Sequence, residues 1–241
     1  MKLSKPAEPR IRPLALAEFE DRNYVKARLY SGLIMVAVRT KPELFIIESL
    51  TLDDEKAERQ EGDIISSMLQ LAGKTGTRYY YIRTARELEE MIDLFDDSHY
   101  RYLHISCHAD KSGMATTFDE VPYADLGEML RPCLSKRRVF VSACQMASEG
   151  LAKELLPGSG CYSLIGPKKS IAFDNAAAFW VSFYHLMFKT NELKMTRGSL
   201  QRRITELSAL YDEPINYFVA SKRYKQGFRR VRNTTRTKNA E

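Results

Sequence analysis

The 241-residue sequence lacks several features that would each assign it to a class of protein. No apolar run approaches the roughly 18 residues of a membrane-spanning helix, so we expect no contact with a membrane. The first residues, MKLSKPAEPRIRP, contain no apolar signal-peptide segment, which predicts a cytoplasmic protein. The four cysteines show neither the spacing of a small disulfide framework nor a CxxC pair. We therefore expect reduced thiols and no metal site.

A nucleotide-binding loop is also missing. The only candidate, GPKKS (166–170), does not have the G-x-x-x-x-G-K-[ST] spacing, and a proline interrupts it.

Positive charge is concentrated at the carboxyl end. Eight basic residues and one acid, Glu241, lie from Lys222 onward, so the rest of the chain is close to neutral although the total charge is +6. We interpret residues 225–241 as a basic, disordered tail. A contact of this tail with nucleic acid is the alternative.

Strand-like and helix-like segments alternate from residue 31 to residue 224. Apolar runs such as LIMVAV (33–38) and LFIIESL (44–50) predict buried strands, and apolar residues at helical spacing predict a strong helix from Asp174 onward. Such alternation predicts one α/β domain with a mostly parallel central sheet and helices on both faces. Residues 1–30 are predicted to form an arm with a short helix.

Four local features make this prediction specific. Lys41-Pro42 predicts a turn before the second strand, and residues 53–72 read as one helix capped by Asp53 or Asp54. Thr84 is predicted to cap the next helix. Residues 216–224 are predicted to form a last strand.

Two of the predicted strands end at residues that can carry chemistry. YRYLHISCHAD (100–110) leads to His108, and RRVFVSACQ (137–145) leads to Cys144, with a helix-like segment between them. A right-handed crossover would make the two strands parallel neighbours and bring their carboxyl ends to one edge of the sheet. We therefore expect His108 and Cys144 to face each other across one strand spacing, roughly 5 Å.

A thiol beside an imidazole can act as a peptidase nucleophile. The imidazolium stabilises the thiolate and later protonates the leaving amine. A cysteine on a buried strand is also commonly a packing residue, so the spacing alone leaves both interpretations open.

These segments resemble the caspase-like cysteine peptidases, which include caspases, legumains, gingipains and separases, and most closely their bacterial CHAT-type members. The resemblance is carried by YLHISCHA (102–109), VFVSACQ (139–145) and SLIGPKKSIAFDNAAAFWVSFYHL (163–186), and it covers residues 100–188. It implies a three-layer α/β/α sandwich with Cys144 as the nucleophile and His108 as the general base and acid. It also implies a peptide or protein substrate and no metal or organic cofactor.

The resemblance assigns the oxyanion hole to two backbone N–H groups, those of Cys144 and of the residue after His108. The family prefers glycine at the second position, whereas this chain has Ala109. A positive φ would cost alanine about 1 kcal/mol or more. The departure supports an alternative, a catalytically silent binding module or scaffold.

Three residues near the predicted cleft are candidates for contact with substrate. Asp174 is expected to cap its helix or to bind a basic side chain, Asp110 to lie on the rim, and Lys168 to lie in a loop beside the cleft. The resemblance further implies a triggered bacterial effector of stress or phage defence that an activating partner protein switches on.

Two neighbours of His108 are predicted to be structural. His104 shares strand parity with His108 but lies deeper, which predicts a core histidine bonded to backbone or water. Cys107 has the opposite parity and is expected to pack on the other face.

Overall fold

The structure, a computed structural model, describes residues 40–232. The predicted arm, the predicted strand at 33–38 and residues 233–241 of the predicted tail lie outside this range.

A seven-stranded sheet forms the centre of the domain, and a second sheet of three short strands lies beside it. The ten strands are β1 (Lys41–Glu48), β2 (Arg78–Tyr81), β3 (Tyr100–Ser106), β4 (His108–Ala109), β5 (Gly113–Ala115), β6 (Glu120–Pro122), β7 (Arg138–Ser142), β8 (Ser163–Pro167), β9 (Ile215–Ala220) and β10 (Phe228–Arg230). The large sheet has the order β10-β9-β8-β7-β3-β1-β2, and the small sheet has the order β4-β5-β6. The pairs β7–β8, β3–β7, β1–β3 and β1–β2 are parallel. At one edge of the sheet, β9 pairs antiparallel with both β8 and β10. The predicted, mostly parallel sheet is therefore confirmed.

Helices cover both faces of the large sheet. They are α1 (Leu52–Lys56), α2 (Glu61–Leu71), α3 (Ala85–Ser98), α4 (Tyr123–Leu130), α5 (Glu149–Leu155), α6 (Phe173–Thr190) and α7 (Arg197–Leu210). Side chains of α3, α4 and α5 form one apolar core with the sheet, and side chains of α2, α6 and α7 form the other. The fold is thus the predicted three-layer α/β/α sandwich.

Helix α6 supplies the largest apolar surface to its core. Trp180, Phe183 and Tyr184 have no exposed surface and surround the ring of Phe140 on β7. Their helical spacing places them on one face, and burying each such side chain contributes on the order of 2 kcal/mol. This packing fixes β7, the strand that leads to Cys144.

The prediction of a single helix over residues 53–72 is wrong. The segment forms α1 and α2, and Glu58 between them has a left-handed φ of 55°. Thr51 caps α1 by accepting a hydrogen bond from the N–H of Asp54. The apolar residues that suggested one helix, at positions 64–72, all belong to α2 and its C-cap, so their periodicity carried no information about residues 53–60.

Two further local predictions are wrong. The N-cap of α6 is Ala172, and Asp174 lies in the first helical turn. Pro42 lies inside β1 rather than in a turn, at a place where the pairing with β3 shifts register between Lys41 and Leu44. A proline is tolerated there because the irregular ladder does not need its missing N–H.

Other boundaries agree with the sequence. Thr84 caps α3 and forms a capping box with Glu87. The predicted last strand is β9, and residues 228–230, which the sequence assigned to the tail, form β10 beside it.

Candidate active site

His108 and Cys144 leave the same edge of the large sheet. β3 and β7 are parallel neighbours, and Ser106 at the end of β3 pairs with Ser142 at the end of β7. His108 and Cys144 each lie two residues beyond this pair. The imidazole and the thiol therefore follow equivalent positions on adjacent strands, and adjacent strands lie roughly 5 Å apart.

Cys144 is the most accessible of the four cysteines. It is partly exposed in the turn after β7, whereas Cys107, Cys133 and Cys161 are buried. Burial raises the pKa of Cys133 and of Cys161 to about 12 and also raises that of Cys107. These three thiols therefore remain protonated and shielded at neutral pH.

The turn that carries Cys144 has an unusual backbone conformation. Gln145, the next residue, has a left-handed φ of 58°. The backbone N–H of Cys144 donates no hydrogen bond to any residue in the range 40–232. The turn thus presents a thiol and an uncommitted donor from the same residue.

His108 is held by a carboxylate that the sequence did not single out for this role. Its Nε2 lies 2.7 Å from Oδ2 of Asp54, and the side chains of the two residues are 41% and 11% exposed. Burial raises the pKa of Asp54, but hydrogen bonds from Thr51, His108 and Arg59 outweigh burial and hold this pKa below its usual range. Asp54 is therefore an ionised acceptor at neutral pH.

Two further side chains border the imidazole. The ring of Phe173 packs edge-on against it with 5.7 Å between centroids, and the guanidinium of Arg59 lies 5.4 Å from the centroid of Phe173. Arg59 also donates to Oδ1 of Asp54 at 2.8 Å. The loop between α1 and α2 and the start of α6 thus enclose the imidazole on the side of Asp54.

Comparisons with known proteins agree with this architecture. Two X-ray structures of a secreted C11 cysteine protease from Bacteroides thetaiotaomicron, one of them in complex with an irreversible peptide inhibitor, match with TM-scores of 0.51 and 0.53 at 10% and 11% identity. They cover 74% and 76% of this chain, which spans 66% and 67% of the protease chains. Caspase-1 from Spodoptera frugiperda gives a TM-score of 0.48 at 12% identity, covering 71% of this chain and 78% of its own. No family model and no curated protein matches the sequence.

The chain has the caspase-like peptidase fold. At these identities the likeness concerns the fold, and the roles of individual residues rest on the geometry. In residues 40–232 of this caspase-like domain no helix is long and apolar enough to cross a membrane.

Two cavities lie near His108 at this edge of the sheet. One of about 230 Å³ is bordered by His108 itself and by the small sheet, including Asp110 and Met114. The other, of about 490 Å³, lies between the start of α2 and the start of α6 and is lined by Arg59, Ile64 and Phe173 among others. The second cavity adjoins His108 through Phe173, whose ring packs against the imidazole.

The three residues predicted to contact substrate are spread over three places. Asp174 is exposed and lines the 490 Å³ cavity. Asp110 lines the 230 Å³ cavity, but its carboxylate already accepts bonds from Ser112 and Gly113. Lys168 lines a separate cavity of about 790 Å³ that neither His108 nor Cys144 borders.

His104 is a core histidine, as predicted, but its partner is a side chain. It has no exposed surface, and its Nδ1 lies 2.8 Å from the hydroxyl of Tyr184. Its Nε2 lies 3.6 Å from Oε1 of Glu61. Cys107 packs in the opposite core against Met146, as the parity of the strand requires.

Two buried carboxyl groups lie beneath the site. Glu48 accepts bonds from the N–H of Gly62 and from Tyr79, and Glu61 accepts a bond from Ser142, two residues before Cys144. Burial raises the pKa of Glu48 to about 7, and the nearby Glu61 adds to this effect. Neither Glu48 nor Glu61 was singled out by sequence reasoning.

Asp54, Arg59 and Phe173 were missed for a common reason. Each lies far from His108 along the chain, and Asp54 was read only as a helix cap. One sequence signal could have pointed to Asp54: an acid shortly after a strand that neighbours the histidine-bearing strand lies at the same sheet edge.

Proposed function

We propose that the protein is a cysteine endopeptidase that uses a Cys144–His108 dyad. The observation that carries the proposal is the register of β3 and β7, because it brings a partly exposed thiol and an anchored imidazole from neighbouring strands to one edge. The caspase-like fold is consistent with this chemistry.

The reaction follows from the two side chains. His108 takes the proton of the Cys144 thiol, and the thiolate forms a C–S bond with the peptide carbonyl carbon. The intermediate collapses as the C–N bond breaks, and the imidazolium of His108 protonates the leaving amine. Water then attacks the thioester while His108 accepts its proton. The C–S bond breaks, the new carboxylic acid leaves, and the thiol is restored.

Two backbone donors support an oxyanion hole at Cys144 and Ala109. The N–H of Cys144 is uncommitted among the described residues. The N–H of Asp110 donates to the carbonyl of Gly113, so these two residues form a hydrogen-bonded pair of the antiparallel ladder. Such pairs alternate with pairs that are not hydrogen-bonded, and the adjacent pair, Ala109 and Met114, is of this second kind. The N–H groups of Ala109 and Met114 therefore point away from the partner strand. The N–H of Ala109 therefore does not serve the pairing of β4 with β5.

The alanine after His108 carries no strain. Ala109 lies in β4, and its φ is not positive. The cost expected for alanine in place of glycine therefore does not arise, and the alternative of a catalytically silent scaffold loses the feature that favoured it.

Membership of the CHAT-type group and a role as a triggered effector are the finer parts of the proposal. They rest on the motifs at 102–109 and 139–145. An activating partner would raise cleavage above the level of the purified chain, so the assay below is run with and without lysates of stressed or phage-infected bacterial cells.

The decisive experiment combines labelling with digestion. The purified chain is treated with a peptide carrying a thiol-reactive electrophile, and a peptide library is digested in parallel. We expect covalent labelling at Cys144, and cleavage that falls at least about 10³-fold in Cys144→Ala.

Cys107→Ala is the matched control, because Cys107 lies close in sequence to His108 but is buried with a raised pKa. It should keep both labelling and cleavage. Labelling that survives in Cys144→Ala, or cleavage unaffected by this change, would refute the proposal.

A specific observation favours a second candidate function, binding of nucleic acid. Four cationic side chains line the 790 Å³ cavity, and none of them makes an ion pair or side-chain hydrogen bond within residues 40–232. They are Lys168, Lys169, Arg230 and Arg232. Unpaired cations grouped in this way suit a phosphate backbone.

Salt-dependent binding of a labelled single-stranded oligonucleotide tests this candidate. Charge reversal in Lys169→Glu with Arg230→Glu should abolish binding, whereas Lys153→Glu, an exposed change on α5, should reduce it only slightly. Binding that is equal in all three proteins would exclude the cavity as the nucleic-acid site.

A further inference from the structure

We propose that Asp54 is a positioning residue for His108: it orients the imidazole and fixes the proton on Nε2, so that Nδ1 remains as the base for Cys144. The inference rests on the proposed peptidase function. It extends the dyad to an acid–imidazole–thiol series.

The order of strands in the sheet carries the first step. β1, β3 and β7 are consecutive in space, and all three run parallel. Asp54 follows β1, His108 follows β3 and Cys144 follows β7. The acid, the base and the nucleophile therefore leave three adjacent strands at one edge, with the imidazole in the middle.

The anchoring of the carboxylate carries the second step. Oδ2 of Asp54 accepts from the hydroxyl of Thr51 at 2.6 Å and faces Nε2 of His108 at 2.7 Å, while Oδ1 accepts from Arg59 at 2.8 Å. Both oxygens are thus held, and neither can rotate away without losing a charged or buried bond. A carboxylate fixed in this way fixes the ring that donates to it.

The state of ionisation carries the third step. An ionised carboxylate can only accept hydrogen bonds, so Nε2 of His108 must be the donor in the 2.7 Å contact. In the neutral ring the proton is then on Nε2, and Nδ1 holds the lone pair. Once the ring has taken the proton of Cys144, the same carboxylate stabilises the imidazolium.

The break between α1 and α2 makes this arrangement possible. Glu58 adopts its left-handed conformation there, and the N–H of Arg59 bonds back to the carbonyl of Asp54 at 3.1 Å. The turn brings the guanidinium of Arg59 onto the carboxylate of Asp54. A continuous helix over this segment would carry Arg59 onward along its axis.

Asp54→Asn gives a sharp test because Arg59 sets the orientation of the new amide. The amide oxygen should face the Arg59 guanidinium, which places the NH₂ group against His108. Nε2 must then accept, and the proton moves to Nδ1. We expect ¹⁵N NMR of His108 to change from the Nε2–H to the Nδ1–H tautomer.

The chemical consequence is measured on the thiol. The rate of alkylation of Cys144 by iodoacetamide at neutral pH, and kcat for any peptide that the wild type cleaves, should fall about 100-fold in Asp54→Asn. Asp54→Glu should recover part of both. Thermal unfolding verifies that each variant is folded.

Asp53→Asn is the matched control. Asp53 is the adjacent residue, its side chain is 93% exposed, and it pairs with Lys56 rather than with His108. It should leave the tautomer and the alkylation rate unchanged. An unchanged tautomer and rate in folded Asp54→Asn would overturn the positioning role.

The outcomes separate this inference from the proposed function. If wild type labels at Cys144 and cleaves peptides but Asp54→Asn equals it, the peptidase stands and the positioning role is refuted. If Cys144 is inert to the peptide electrophile, the peptidase proposal fails. The catalytic positioning role of Asp54 then fails as well, even if NMR detects the Nε2–H tautomer of His108.

Discussion

The two histidines of the β3 segment show how position decides the use of one side chain. His104 and His108 lie four residues apart, and each meets an acid from the segment after β1: Glu61 for His104 and Asp54 for His108. The inner pair has almost no exposed surface, and its nitrogen and oxygen are 3.6 Å apart. The outer pair is 2.7 Å apart, and its imidazole is 41% exposed.

The difference separates a structural role from a chemical one. His104 is enclosed by Trp180 and Tyr184 and can reach neither solvent nor substrate. His108 borders a cavity and can exchange protons with molecules from outside. Four residues of strand correspond to roughly 13 Å, which is enough to pass from the core to the edge of the sheet.

The largest effect on function is expected at the outer histidine. His108→Ala should lower kcat/KM about 10²- to 10⁴-fold, because the general base and acid is removed. Its unfolding free energy should change little, since the side chain is partly exposed. Peptide cleavage and chemical denaturation of the same sample measure both. A fully active variant would refute the role of His108.

The reverse pattern is expected at the inner histidine. His104→Ala leaves a cavity beside Trp180 and an unpaired Tyr184 hydroxyl, which should cost about 2–5 kcal/mol of unfolding free energy. The protein that remains folded should keep its activity. Loss of cleavage at full stability would contradict the separation of the two histidines.

The buried carboxyl beside the inner pair predicts a pH dependence. Burial raises the pKa of Glu48 from its ordinary 4.5 to about 7 in the folded chain, so this carboxyl ionises first in the unfolded chain as the pH rises. The free energy of unfolding should therefore fall between about pH 4.5 and pH 7, by an amount on the order of 3 kcal/mol, and stay lower above this window.

Glu48→Gln should flatten this fall and be more stable than wild type above pH 7. Glu89→Gln, an exposed change on α3, is the control and should follow the wild-type curve. Urea denaturation at several pH values provides the measurement. Parallel curves for Glu48→Gln and wild type would show that Glu48 does not titrate in this range.

The smallest effect concerns the hydrogen bond of the inner histidine. Tyr184→Phe keeps the packing but leaves Nδ1 of His104 unpaired, which should cost about 1–2 kcal/mol. Tyr224→Phe, at a half-exposed tyrosine, should be neutral. Equal stability of the two variants would indicate that His104 finds another partner.

Much of the scaffold could be predicted from local pattern. Apolar runs and helical spacing placed β3, β7, β8 and α6 within a few residues, because the period of apolar residues directly reflects which face is buried. The role of Thr84 as a helix cap was predicted because cap and helix are adjacent in the chain. The placement of β3 and β7 as parallel neighbours was predicted from the helix-bearing crossover between them, whereas their register was not.

The parts that escaped prediction depend on partners far along the chain. The break at Glu58 is stabilised where Asp54 meets His108, 54 residues away. β10 forms only because β9 offers it an edge. Helical periodicity and composition contain no record of such contacts.

The sequence by itself determined the alternation of strands and helices and the delivery of His108 and Cys144 to the ends of two neighbouring strands, since both follow from short-range patterns and chain connectivity. Only the tertiary structure decided which acid meets which histidine and which of the two imidazoles stays accessible. The physical reason is that hydrogen bonds and burial depend on distances in space. Those distances are set once the β1, β3 and β7 ends have been brought side by side.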